Sequence, residues 1–302
     1  MRRFRRRRRR AAAQALLGFA ALATTASIGI AAAGPGRARI AAPEETLSFG
    51  ERFRLAGSVP VDAGMDVRIR FRAAGSDSWR LVRKTHTDRN GTYRTRLRAQ
   101  VNGAYRAFPA QGRASSSEEI EVRSRTAFHV SGHDLKLGHG VRLQGRVRPG
   151  GRRTVKVVVR GPGRDVRTDA VSRDGRFALA LKPRHAGVYR LRAYTSRNLR
   201  AGGSVSPARR VTAYRPAEAS WYGPGFWGNR TACGQVLRPG MLGVAHRGLP
   251  CGTEVKFRYR GRTVRAPVID RGPFAPGRRW DLTQATKERL RFPDVGTVWS
   301  SK

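Results

Sequence analysis

The chain has 302 residues, with 62 Lys and Arg against 20 Asp and Glu, for a formal net charge of +42. A hydrophobic content of 39% suffices for packed cores and excludes disorder throughout, and the length allows two or three domains. The charge is almost all Arg. It admits either a polyanionic partner (wall polymer, anionic lipid or nucleic acid) or arginine spread over solvated faces. Arg alternates along strand-like segments and does not cluster with aromatics, so no nucleic-acid partner is expected.

Met1 to Arg10 holds eight Arg and one Phe, followed by an Ala/Leu-rich stretch to Ala33 and then Gly34-Pro35-Gly36. A charged region, an apolar region and small residues before a break predict a secretory signal over 1–33. The alternative is an uncleaved membrane anchor, since the apolar stretch is nearly long enough to span. Gln14, Thr24, Thr25 and Ser27 and the preponderance of weakly apolar Ala favour export with cleavage. No Cys lies near the junction, so lipid attachment there is not expected.

The middle of the chain repeats itself. Leu47–Val59 matches Leu135–Val147, Asn90-Gly91-Thr92-Tyr93 matches Asp174-Gly175-Arg176-Phe177, and Gly103–Arg106 matches Gly187–Arg190. Apolar and charged residues alternate: Phe53 and Leu55 with Arg52 and Arg54, Val67 and Ile69 with Arg68 and Arg70, and Val155, Val157 and Val159 with Lys156 and Arg160. This period of two predicts half-buried strands, and Asn-Gly and Asp-Gly predict hairpin turns. Two tandem immunoglobulin-like β-sandwich repeats are expected, over 42–125 and 126–213. Neither copy holds a cluster of catalytic residue types. Spacing, adhesion to the wall or binding of anionic wall polymers are their expected roles.

Pro216 suggests a short linker over Thr212–Ala217, after which the composition changes and Trp becomes frequent. Strands are predicted at Ala219–Tyr222, Leu242–His246, Thr253–Tyr259, Thr263–Asp270 and Gly296–Ser300, with a hairpin turn at Tyr259-Arg260-Gly261-Arg262. One helix is predicted over Leu282–Arg291, with Asp281 as N-cap and Gln284 as its capping-box partner. Cys233 and Cys251 are the only cysteines, and an even, close pair in an exported chain predicts a disulfide. With only His246 nearby they fall short of a structural zinc set, so neither metal nor cofactor is expected.

Four blocks of this last third resemble the RlpA-like double-psi β-barrel family. They are Ala219-Ser-Trp-Tyr-Gly-Pro-Gly-Phe-Trp-Gly-Asn-Arg-Thr-Ala232, Val244-Ala-His-Arg-Gly-Leu-Pro250, Val268-Ile-Asp-Arg-Gly-Pro-Phe274 and Trp280-Asp-Leu-Thr283. The resemblance covers only 214–302. It implies a six-stranded barrel with a short helix, so the whole chain is expected to be all-β. It also implies lytic transglycosylase activity on the glycan strands of peptidoglycan, with secretion to the cell wall. Expansins are more distant relatives, and a non-catalytic wall-loosening protein is the alternative.

Acid/base cleavage of a glycosidic bond needs a carboxyl able to protonate the leaving oxygen. Asp270 closes the apolar run Ala266-Pro-Val-Ile269, where burial can raise a carboxyl's pKa; the plain alternative is a turn-shaping role. Asp281 is the second candidate, or merely an N-cap. The resemblance favours both in the site, with Asp270 as the acid/base. It also brings in His246, to orient a carboxylate or touch the sugar, and Arg271, to hold a carboxylate or an acid group of the substrate. Tyr222, Phe226 and Trp227, in a Gly-rich loop, are candidate platforms for sugar rings, with Trp221 assigned to the core.

Overall fold

A computed structural model describes residues 36–60, 64–163 and 165–302. The predicted export signal at 1–33 lies outside the described residues. Among those residues no helix is long and apolar enough to cross a membrane, and the structure is all-β apart from one short helix.

Both repeats fold as β-sandwiches. In the first, Arg39–Ala41, Arg52–Ser58 and Thr92–Arg98 form one sheet. Arg80–His86, Asp66–Ala73, Gly103–Pro109 and Glu118–Ile120 form the other. Phe53, Leu55, Val67 and Ile69 point into the core, with the alternating arginines outside or at its margin. The first strand, from Arg39, begins just upstream of the expected start at residue 42. The second repeat has the same plan. Arg125–Val130, Val141–Arg148 and Arg176–Leu181 face a sheet containing Val166–Ser172, Arg153–Arg160 and Gly187–Thr195. Val155, Val157 and Val159 lie in its core. Asp174 and Gly175 both take positive φ, 47° and 77°, as a tight hairpin turn requires.

The C-terminal region is a closed six-stranded barrel. Its strands are β1 (Arg209–Tyr222), β2 (Val244–Ala245), β3 (Glu254–Tyr259), β4 (Arg262–Asp270), β5 (Trp280–Thr283) and β6 (Gly296–Ser300). Pairing runs β1-β5-β2-β4-β3-β6 and returns to β1. Closure leaves no edge open to a stray strand. Arg260 and Gly261, with φ of 42° and 84°, make the tight β3–β4 turn that Arg-Gly predicts. Trp280, Phe257, Val268 and Leu282 fill the interior, and the rings of Phe257 and Trp280 meet edge to face at 5.0 Å.

Two sequence expectations are corrected here. No linker separates the second sandwich from the barrel, because β1 runs through both. Its first half pairs with Gly187–Thr195 and its second half with β5 and β6. Pro216 sits inside this strand, opposite Trp299. The junction is further fastened by Asp134, on a short strand alongside β1. Asp134 accepts from Lys256 Nζ at 3.0 Å, Arg258 Nη1 at 2.8 Å and Tyr214 OH at 2.9 Å. Burial pushes its carboxyl up, but the hydrogen bonds from Lys256 and Tyr214 and the two cations outweigh it and hold the pKa low. The second correction is the helix. It is α1, Gln284–Leu290, capped by Thr283, whose side chain accepts from the Thr286 N–H. Asp281 is not the cap; it lies in β5, whose pairing with β1 outcompetes the helical start. Gln284 Nε2 bonds to Glu288 instead of reaching back.

Candidate active site

The site is organised by the shortest strand of the barrel. β2 lies between β4 and β5, so that Ala245 pairs with Asp270 on one side and Asp281 on the other. With neighbouring strands about 4.8 Å apart, the two Asp Cα atoms stand about 10 Å from each other. A pair of aspartates 11 residues apart in sequence is thus brought to the same level of the barrel by topology.

Asp281 is more than half-buried. Its Oδ1 accepts from Ser220 Oγ at 2.8 Å, since Ser220 is its partner across the β1–β5 ladder. Burial raises the Asp281 pKa and the charge of Asp270 adds to the rise. The Ser220 hydrogen bond and the charge of Arg278 oppose it and do not cancel it. Asp270 is held differently: its Oδ1 accepts from the backbone N–H groups of Ala232 and Arg271, each at 2.8 Å. Tyr222 stands close enough to both carboxylates that burial first, and then their charges, raise its phenol pKa. Its hydroxyl is buried with no hydrogen-bond partner among the described residues. It is a neutral phenol within reach of the charges of two acids.

His246 follows β2 directly, and its N–H bonds to the Asp270 carbonyl at 3.1 Å. Its Nδ1 accepts from the N–H groups of Gly248 and Leu249, at 3.1 and 2.9 Å. An accepting Nδ1 leaves the ring proton on Nε2. Burial, then Arg279, Arg271 and Arg247, lower the His246 pKa, so the ring is kept neutral. It rests on Trp280, centroids 4.5 Å apart.

Cys233 and Cys251 are disulfide-bonded, with Cα atoms 5.7 Å apart. Cys233 follows the Ala232 whose N–H holds Asp270, so the bond fixes that donor loop beside the end of β4. Among the described residues Arg271 is in no ion pair with a carboxylate. Its guanidinium donates to the carbonyls of His246 and Leu249, at 3.3 and 3.0 Å, and to Cys251 Sγ. Sequence reasoning missed two contributors. Ser220 was legible only as a polar residue alternating with Trp221. Arg247 fastens the opposite wall through the carbonyls of Pro273, Ala275 and Arg278, and nothing local distinguishes it from the many other arginines.

Tyr222 touches Phe226 edge to face at 6.1 Å, which extends an aromatic surface outward from the carboxylates. Phe226 and Trp227 are 56% and 41% exposed, too open to be core. Phe274, in the loop after Asp270, is 81% exposed. Trp221 packs partly against the core as expected, with its Nε1 donating to Asp294 at 2.7 Å. Among the described residues no cluster of three or more His, Cys, Asp or Glu could hold a metal. The arrangement joins a carboxyl with raised proton affinity, a second carboxylate, a neutral imidazole donor and exposed aromatic faces.

Comparison with known proteins agrees with the class that this fold and site define. Residues 216–299 match the family model described as lytic transglycolase, and the barrel is of the RlpA-like double-psi type. A probable endolytic peptidoglycan transglycosylase RlpA from Synechocystis is 51% identical over 80 residues, which cover 26% of this chain and 25% of that protein. Its counterpart from Aquifex aeolicus is 42% identical over 92 residues, 30% of this chain and 41% of that one. The endolytic peptidoglycan transglycosylase RlpA of Campylobacter jejuni is 38% identical over 82 residues, 26% and 30% of the two chains. The chain thus spans less than half the length of these relatives, and the likeness is to its C-terminal domain alone. Among solved structures, the fibronectin(III)-like modules of Clostridium thermocellum CbhA align with 58% of this chain and 92% of theirs, at 10% identity and a TM-score of 0.23, too remote to bear on function.

Proposed function

We propose that the barrel domain cleaves the glycan strands of peptidoglycan as a lytic transglycosylase, in a chain exported to the cell wall. The observation that carries this reading is the pair of aspartates flanking Ala245, with the Asp281 carboxyl pushed up by burial and by its neighbour. The names of the relatives that match these residues support the same chemistry. The sequence alone favours Asp270 as the acid/base; the raised Asp281 supports dividing the task. Asp281 gives its proton to the bridging oxygen as the bond from C1 to that oxygen breaks. The 6-hydroxyl oxygen of the same sugar then bonds to C1, and its proton passes to Asp270. One proton leaves and one arrives, so exchange through water resets the pair and the product carries a 1,6-anhydro end. His246 Nε2–H donates to a sugar oxygen, and Tyr222, Phe226 and Trp227 carry the flanking rings. The test is mass spectrometry of purified peptidoglycan after incubation with the protein. New 1,6-anhydro ends are expected. Their absence with both intact and peptide-stripped glycan, while binding persists, would replace catalysis by expansin-like wall loosening.

A further inference from the structure

We infer that the second sandwich carries a self-complementary edge, through which two copies of this chain pair strand to strand. The inference is independent of the chemistry of the barrel. Val166–Ser172 closes one side of its sheet and has a single ladder partner among the described residues, Arg153–Arg160. That pairing is regular along its length, without a bulge. An edge strand points alternate N–H and C=O groups away from its one neighbour, and these are a template for another strand. Val166 and Val171 are 47% and 52% exposed there. The matching edge of the first sandwich, Arg80–His86, is blunted in two ways. A bulge breaks its register: Ile69 lies opposite Arg83 and Arg70 opposite Leu81, so Val82 has no partner in the ladder. Arg80, Arg83 and Lys84 add charge of one sign, which repels a second copy of the same strand.

The order of charges along Val166–Ser172 selects the occupant. Val155, Val157 and Val159 point into the core, so Ala170, Thr168 and Val166 opposite them lie on the inner face, and Arg167 and Asp169 lie on the outer one. Both charged residues are exposed, and neither is in an ion pair among the described residues. Two copies related by a two-fold axis pair antiparallel, each residue meeting the one equally far from the centre. Directly opposed residues share a face, so the centre must fall on a residue for inner positions to meet inner ones. Centred on Thr168, the Arg167 of each copy lies opposite the Asp169 of the other, and Val166 lies opposite Ala170. Moving the centre by one residue sets Arg167 against its own copy, or Asp169 against its own, and like charges directly opposed are destabilising. The other long sandwich edges, Thr92–Arg98, Arg125–Val130 and Arg176–Leu181, hold arginine without an acid and cannot make this match. An acidic peptide would satisfy Arg167 and be repelled by Asp169, whereas a second copy satisfies both.

The test is analytical ultracentrifugation of the full chain at physiological salt. Repulsion between the two positive copies is then screened beyond about 8 Å, while side chains opposed across a ladder stand about 5 Å apart. A concentration-dependent equilibrium between monomer and dimer is expected. Arg167→Asp and Asp169→Arg, each alone, should weaken self-association at least about tenfold, because each sets like charges opposite one another. Mixing the two variants should bring association back to within about threefold of the parent, since every opposed pair is again of opposite sign. Both substitutions in one chain should do the same at the parent's net charge. The two positions are exposed, so the fold is not at stake. A parent that stays monomeric at submillimolar concentration would overturn the inference. So would single variants that associate as the parent does, which would place the contact on another surface, or a mixture of the two that stays apart.

Discussion

Arginine does opposite work in the barrel and in the first sandwich. In the barrel, Arg247 and Arg271 turn their guanidinium groups inward onto carbonyls and so hold the loops on either side of His246. In the first sandwich, Arg52, Arg54, Arg96 and Arg98 stand in unpaired rows facing solvent. The same residue type locks a small site where its donors meet backbone, and offers a charged surface where they do not. Net charge reports neither role. What decides is whether a carbonyl lies within reach, and this depends on loops that sequence alone does not place.

The largest effect should fall on the barrel side of this contrast. Asp281→Asn and Asp270→Asn should each lower the cleavage rate at least a hundredfold, about 2.7 kcal/mol of transition-state stabilisation. Their stabilities should differ in a telling way. Burial raises the folded pKa of Asp281, so its contribution to stability is fully present below the ordinary carboxylate range and lost as pH rises through the raised value. At neutral pH Asp281→Asn should therefore melt no lower than the parent while losing activity. A near-parental rate in either folded variant removes that aspartate from the mechanism.

Next in size is the disulfide. Reducing the bond between Cys233 and Cys251, 18 residues apart, should destabilise the barrel by about 3 kcal/mol. Amide exchange should speed up in the Tyr222–Trp227 and Ala232 loops, while the β3–β4 hairpin stays protected. Uniform loosening of hairpin and loops would show that the bond supports the whole barrel.

The pH dependence separates the groups further. Because the folded pKa of His246 is depressed, the stability it lends is present above the ordinary histidine value and is lost as pH falls through the folded value. Thermal melts should decline below about pH 6.5, and His246→Gln should remove that part of the decline. Activity should fall at the alkaline side, as Asp281 loses its proton, at a higher pH than an ordinary carboxyl would allow. The smallest effect belongs to the sandwich. Arg54→Ser with Arg96→Ser should raise its stability by about 0.2–1 kcal/mol by relieving cross-strand repulsion.

Much of the fold is legible in the sequence because its signals are local. Alternation at Phe53–Leu55 and Val155–Val159, the Asp174-Gly175 and Arg260-Gly261 turns, and the cysteine pair each carry their own physics. The two misreadings both lie where a distant strand intervenes. Asp281 has the chemistry of an N-cap, but pairing with Ser220, 61 residues earlier, keeps it extended and passes the cap to Thr283. Pro216 looks like a break, but its partner across the ladder is Trp299, 83 positions on, which no local pattern reveals. At the site, Asp270, Asp281 and His246 could be proposed from motifs. That Ala245 sets the spacing of the two aspartates, and that Tyr222 stands close to both, follows only from barrel closure.

The unbroken β1 has a mechanical consequence. One end lies in the sheet of the second sandwich, and the other carries Ser220 and Tyr222 to the carboxylates. Asp134 braces the strand from the side through Lys256 and Arg258. A displacement of the second sandwich is therefore carried along one continuous strand to Ser220 and Tyr222, the residues of β1 that lie beside the two aspartates.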